Sequence, residues 1–157
     1  MLICKLFHFN LKNEYLCRNM GRIVALDYGK KRTGIAVSDP LKIIAGGLTT
    51  LPSKDTIGFL KHYIAENTVD LFLLGDPRQM NYKPSENRER VLNFKESLHQ
   101  SFPDVEIQMI DERFTTLLAH QAMIQGGLKK KDRRNKALVD ELSATILLQS
   151  YLETNKA

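Results

Sequence analysis

Cysteine is scarce in this chain, and the scarcity narrows its chemistry first. Only Cys4 and Cys17 occur, both within the first nineteen residues, and no Cys/His cluster has the spacing of zinc ligands. A disulfide framework and a structural zinc site are thereby excluded, which predicts a protein of the reducing cytoplasm. No apolar run reaches membrane-spanning length, and residues 1–19, MLICKLFHFNLKNEYLCRN, contain no apolar stretch of signal-peptide length. The expectation is a soluble protein. Internal repeats and a second core are also missing, so 157 residues with 43% apolar content read as one domain. Neither sign of charge dominates: the formal net charge is +5, and Lys5, Lys12, Arg18 and Glu14 supply +2 of it, leaving +3 on residues 20–157. So small a balance points weakly to nucleic acid, and the clustering of cations carries more weight.

What is present is concentrated in DYGKKRTGIAVSD, residues 27–39. The apolar run Ile23 to Leu26 reads as a buried strand ending at Asp27, and Gly29 punctuates a turn carrying Lys30, Lys31 and Arg32. Thr33 to Asp39 then returns antiparallel. A carboxylate at a strand end beside such a turn suits a metal ion that handles phosphate, because the acid ligates the cation while the Lys/Arg cluster attracts the polyanion. The competing reading makes Asp27 only the start of a hairpin turn. Convergence of further acids on the same point decides between them.

The remaining pattern predicts a third strand over residues 43–51, weakened by Gly46 and Gly47, and a helix capped by Ser53 or Asp55 that runs to about Asn67. Val69 to Leu74 is continuously apolar, as expected of a strand covered on both faces. A helix follows over about 85–100, a strand over 105–110, and a short helix capped by Thr115 or Thr116 and ended by Gly126 and Gly127. The basic segment LKKKDRRNK, residues 128–136, leads into a last helix over about 136–153. Sequential strands followed by alternating helices and strands predict an α/β domain with a mixed sheet. Its parallel strands bring their carboxyl ends to one edge, where open α/β sheets place their sites. Asp27 ends the first strand, and Asp111 and Glu112 end the last. On the final helix Asp140 interrupts the stripe Ala144, Leu147, Leu148 and Tyr151 that should face the sheet. The helix dipole explains an acid near a helix start, but three acids meeting at one sheet edge would repel one another without a cation.

Taken in order, DYGKKRTGIAVSD, GDPRQMN, DERFTT, KKKDRRNK and Asp140 with ATILLQSYL resemble the YqgF family, the Holliday-junction-resolvase-like group, over essentially all of residues 20–157. The resemblance implies a ribonuclease H-like fold with a five-stranded mixed sheet in the order 3-2-1-4-5, flanked by helices. It implies a nuclease that matures the precursor of the small-subunit ribosomal RNA, at its 5′ end, with catalytic and metal-binding acids carried over onto Asp27, Glu112 and Asp140. Mg²⁺ or Mn²⁺ would be held there to position the scissile phosphate and activate water. Asp111 is the alternative to Glu112, since successive strand residues point to opposite faces and which one looks inward is not legible from sequence. Asp140 is followed by Glu141, about 100° away round the helix, so a second ion is expected to bind weakly.

The expected nucleic-acid contacts are Lys30, Lys31 and Arg32 in the first turn, Arg113 against the developing phosphate charge, and Lys129, Lys130, Lys131, Arg133 and Arg134 in the basic segment. Aromatics near that segment are few, so recognition should rest on backbone and shape rather than stacking. His62, His99 and His120 sit on predicted helices at no ligand spacing and read as fillers. The expected partner is ribosomal precursor RNA or branched DNA, with the protein a monomer or weak homodimer. The rival readings are a resolvase of Holliday junctions or other structured nucleic acids, and a non-catalytic RNA-binding module with a vestigial metal site. Residues 1–19 are expected to be an extension outside a domain of residues 20–157.

Overall fold

The computed structural model describes residues 21–77, 86–111 and 115–155. Its strands are β1 (Arg22–Tyr28), β2 (Arg32–Ser38), β3 (Ala45–Pro52), β4 (Val69–Asp76) and β5 (Glu106–Asp111). Its helices are α1 (Thr56–Glu66), α2 (Glu86–Ser101), α3 (Thr115–Gln125) and α4 (Lys136–Thr154). The strands form one sheet in the order β3-β2-β1-β4-β5. The meander β1–β2–β3 is antiparallel, while β4 runs parallel to β1 and β5 parallel to β4. This is the ribonuclease H-like order that the family resemblance implies.

Strand alternation sorts the core into two layers. Val24 and Leu26 of β1, with Phe72 and Leu74 of β4, pack on one face with Leu60 of α1 and Val91, Phe94 and Leu98 of α2. Ile23 and Ala25, with Leu71 and Leu73, pack on the other with Ala144, Leu147, Leu148 and Leu152 of α4. A strand buried on both sides needs apolar residues at every position, which is why VDLFLL reads as an unbroken run. The rule has a direct consequence for the acids that end these strands: residues of opposite parity look to opposite layers.

Two local details differ from the sequence expectation. β3 starts at Ala45 rather than Ile43, because Asp39 captures the connection: its carboxylate accepts from the backbone N–H of Leu41 at 3.0 Å and of Ile43 and Ile44 at 2.7 Å each. Slight burial raises the Asp39 pKa, but these hydrogen bonds outweigh it and hold the carboxyl below its ordinary range. Ser53, expected as a possible cap, is instead buried under the sheet, donating to Gly29 O at 2.7 Å and accepting from Thr33 Oγ1 at 3.2 Å.

The approach to α4 is set by two terminators. Gly127 adopts φ 72° at the end of α3, where Leu128 N–H bonds Met123 O at 3.0 Å and Gly127 N–H bonds Ile124 O at 3.0 Å. That pair of bonds around a left-handed glycine stops the helix and turns the chain back. The basic segment then makes one 3-10 turn, Asp132–Arg134, before Asn135 caps α4 by accepting from Ala137 N–H at 3.1 Å.

Candidate nucleic-acid and metal site

Asp27 has the parity of Ile23 and Ala25, so its carboxylate looks to the layer occupied by α4. Its cross-strand partner on β2 is Gly34. A Cβ at Gly34 would land on the carbonyl oxygen of Asp140, and one at Gly47 of β3 would land on the side chain of Glu141. The second turn of α4 therefore rests directly on two glycines of neighbouring strands. Thr50 Oγ1 secures the helix by donating to Ala137 O at 2.7 Å. Glycine is a packing requirement at Gly34, where a side chain would meet helix backbone and lift the helix off the sheet; at Gly47 it leaves room for the Glu141 side chain.

This contact brings Asp140 beside Asp27. Burial first, and the neighbouring negative charge of Asp140 second, push the Asp27 carboxyl up to about 7. Asp140 itself accepts from Arg32 Nε at 2.8 Å, an ion pair between residues 108 positions apart. Among the described residues no group of three or more His, Cys, Asp or Glu side chains converges. Two do, and a pair of neighbouring carboxylates, one of them raised in proton affinity by burial and by the charge of the other, is a fitting donor set for a hard divalent cation. Glu112 and Arg113 lie outside the described residues.

The other strand-end acids look elsewhere. Asp111 continues the parity of Ile107 and Met109, which pack against the α1–α2 layer, opposite the face of Asp27. Asp76, at the end of β4 and paired in register with Asp111, is 3% exposed and accepts from Arg88 Nε of α2 at 2.9 Å. Sequence reasoning did not single out Asp76. The available signal was the GDPR run after an apolar strand, and parity assigns it to the α2 side.

The cations divide in the same way. Lys30 and Lys31 are exposed in the β1–β2 turn, which Gly29 closes by donating its N–H to Arg32 O at 2.9 Å. Lys129, Lys130 and Lys131 are exposed before the 3-10 turn. A groove of about 440 Å³ joins this segment to Asp140, with Arg32, His120, Arg133, Arg134 and Lys136 also in its lining. The Arg133 Nε is buried there without a hydrogen-bond partner among the described residues. His120, which helix spacing marked only as a filler, belongs to this lining. Nothing in its local sequence announces that, because α3 reaches the groove through the turn at Gly127.

Residues 21–154 match the family model described as "RuvX: Holliday junction resolvase". A protein of Phocaeicola vulgatus named "Putative pre-16S rRNA nuclease" is 56% identical over 137 residues, covering 87% of this chain and 99% of that protein. One of the same name from Bacteroides fragilis is 55% identical over 137 residues, with the same coverage. In structure the chain is similar to Thermus thermophilus RuvC, solved with a Holliday junction substrate, at a TM-score of 0.51 and 15% identity over 87% of this chain and 98% of that one. That likeness concerns the fold.

Proposed function

Since the chain belongs to the RuvX family and is a nuclease, we propose that it hydrolyses the precursor of the small-subunit ribosomal RNA, near its 5′ end, at a divalent-metal site. Asp27 and Asp140 are two of the ligands. Glu112 is the candidate third, because Asp111 faces the opposite layer. The observation that carries the reading is the Asp27–Asp140 apposition, held by a helix seated on glycine and otherwise unfavourable. The names of these two relatives support the RNA substrate.

A Mg²⁺ or Mn²⁺ ion bound there would supply Lewis-acid polarisation of the scissile phosphate and of the attacking water. The chain's own residues do the rest. Arg133, Arg134 and Lys136 hold the phosphate backbone in the groove that opens beside Asp140. Lys30, Lys31 and Lys129 to Lys131 extend that positive surface, and Arg113 is placed by sequence next to Glu112. Glu141 lies over Gly47 of β3 and is not a further ligand in this arrangement. Among the described residues no helix is long and apolar enough to cross a membrane, and the cysteine usage fits action in the cytoplasm.

Purified protein incubated with a precursor-rRNA fragment in Mg²⁺ or Mn²⁺, beside a four-way DNA junction, tests this. The RNA should be cleaved, and Asp27→Asn should abolish cleavage while sparing the fold, since it keeps volume and removes the charge a hard cation needs. Glu112→Gln and Asp140→Asn should behave alike, and double variants should be hardly worse than the worst single one. Cleavage of the junction alone would assign the chain to the resolvase reading. Wild-type rates in Asp27→Asn would remove the site from the chemistry.

A further inference from the structure

Arg32 occupies two places at once in this molecule. Its Nε donates to Asp140 Oδ2 at 2.8 Å, and its guanidinium lines the cationic groove with Arg133, Arg134, Lys136 and His120. Among the described residues Asp140 is the only acid of that lining. The Arg32 side chain is 36% exposed, so it is free to reorient towards solvent and groove without disturbing the core. A carboxylate oxygen engaged by an arginine is partly withdrawn from a metal ion, because both compete for the same lone pairs.

From this geometry we propose that Arg32 is an exchangeable placeholder cation: it neutralises Asp140 when no metal is bound, and is released to a substrate phosphate when the metal arrives. Metal and nucleic acid then bind cooperatively, each favouring the state in which Arg32 has left Asp140. The inference rests on the proposed metal site and makes Arg32 a positioning residue of it. The phosphate acceptor is a diester of the nucleic-acid backbone, since a guanidinium presents its planar fork to phosphate as readily as to carboxylate. Strand identity plays no part in it.

Calorimetry and RNA anisotropy on the full chain test the exchange. In Mn²⁺ titrations without RNA, Arg32→Gln should bind the ion more tightly than wild type, roughly two- to five-fold, the range expected on removing a half-exposed competing ion pair. Arg32→Lys should fall between the two. Anisotropy of a labelled single-stranded RNA, with Ca²⁺ as the metal, gives the second readout. Without metal, Arg32→Gln should leave the salt dependence of RNA binding unchanged, because Arg32 is held by Asp140. With Ca²⁺ it should lower the slope of log K against log salt by about 0.7, one phosphate contact on a single strand. Weaker or unchanged Mn²⁺ binding in Arg32→Gln, or an equal loss of slope with and without Ca²⁺, overturns the exchange. Absence of Mn²⁺ binding in the wild type would instead overturn the metal-site reading beneath it.

Discussion

Asp27 concentrates the energetic tension of the site in one side chain. Its folded pKa of about 7 lies above the ordinary 3.8 of a carboxyl, so between these values the folded protein keeps a proton that the unfolded chain releases. Stability of the metal-free protein therefore falls as pH rises through that window and levels off above about pH 7. We expect the wild type in EDTA to lose about 1–2 kcal/mol from this group between pH 5 and pH 8, equivalent to about 3–6 °C in Tm for a chain of this size. Asp27→Asn should flatten that dependence and melt higher than wild type at pH 8. Parallel melting-temperature curves for the two proteins would show that the carboxyl pair is not the source. The same residue is where local sequence carried most: an acid closing an apolar strand before Gly29 and three cations was visible without any structure.

At the scale of elements, the site is a helix seated on a sheet with nothing between them. Gly34→Ala puts a methyl group onto the Asp140 carbonyl, and backbone cannot yield as a side-chain tip can. The expected cost is about 2–4 kcal/mol in urea unfolding, with a weaker Mn²⁺ affinity because Asp140 moves with its helix. Gly46→Ala is the matched control on β3, since its Cβ would meet only Val37 O at 3.9 Å; it should stay within about 1 kcal/mol of wild type. Equal losses in the two variants would mean that strand propensity, not the helix seat, is being measured. Strand and helix spans were legible because their periods of 2 and 3.6 are local properties. β3 began two residues late because the three backbone hydrogen bonds to Asp39 hold the preceding residues in a turn, a competition that apolar patterning does not register.

At the scale of the whole molecule, the family match covers residues 21–154, and the relatives align over 99% of their length with 137 residues of this chain. We propose that residues 20–157 form the folding unit. A protein beginning at Met20 should therefore keep its fold, with a melting temperature within a few degrees of the full chain. A fall of ten degrees or more, the effect of losing about 2.5–5 kcal/mol from a domain this size, would make residues 1–19 part of that unit.

The sequence by itself determined the α/β class, the element order, the burial of β4 on both faces and the candidate acids at the strand ends, because alternation, apolar runs and caps act over a few residues. Its ordered motifs, through their likeness to a known family, added the strand order. Tertiary structure alone decided that Asp140 lies against Asp27, that Arg32 is its partner from 108 residues away, that Asp76 is held by Arg88 on the opposite face, and that His120 lines the groove. Those facts depend on how closely a helix approaches a sheet. The approach is set by the space above Gly34 and Gly47, and empty space between distant segments leaves no periodic trace along the chain.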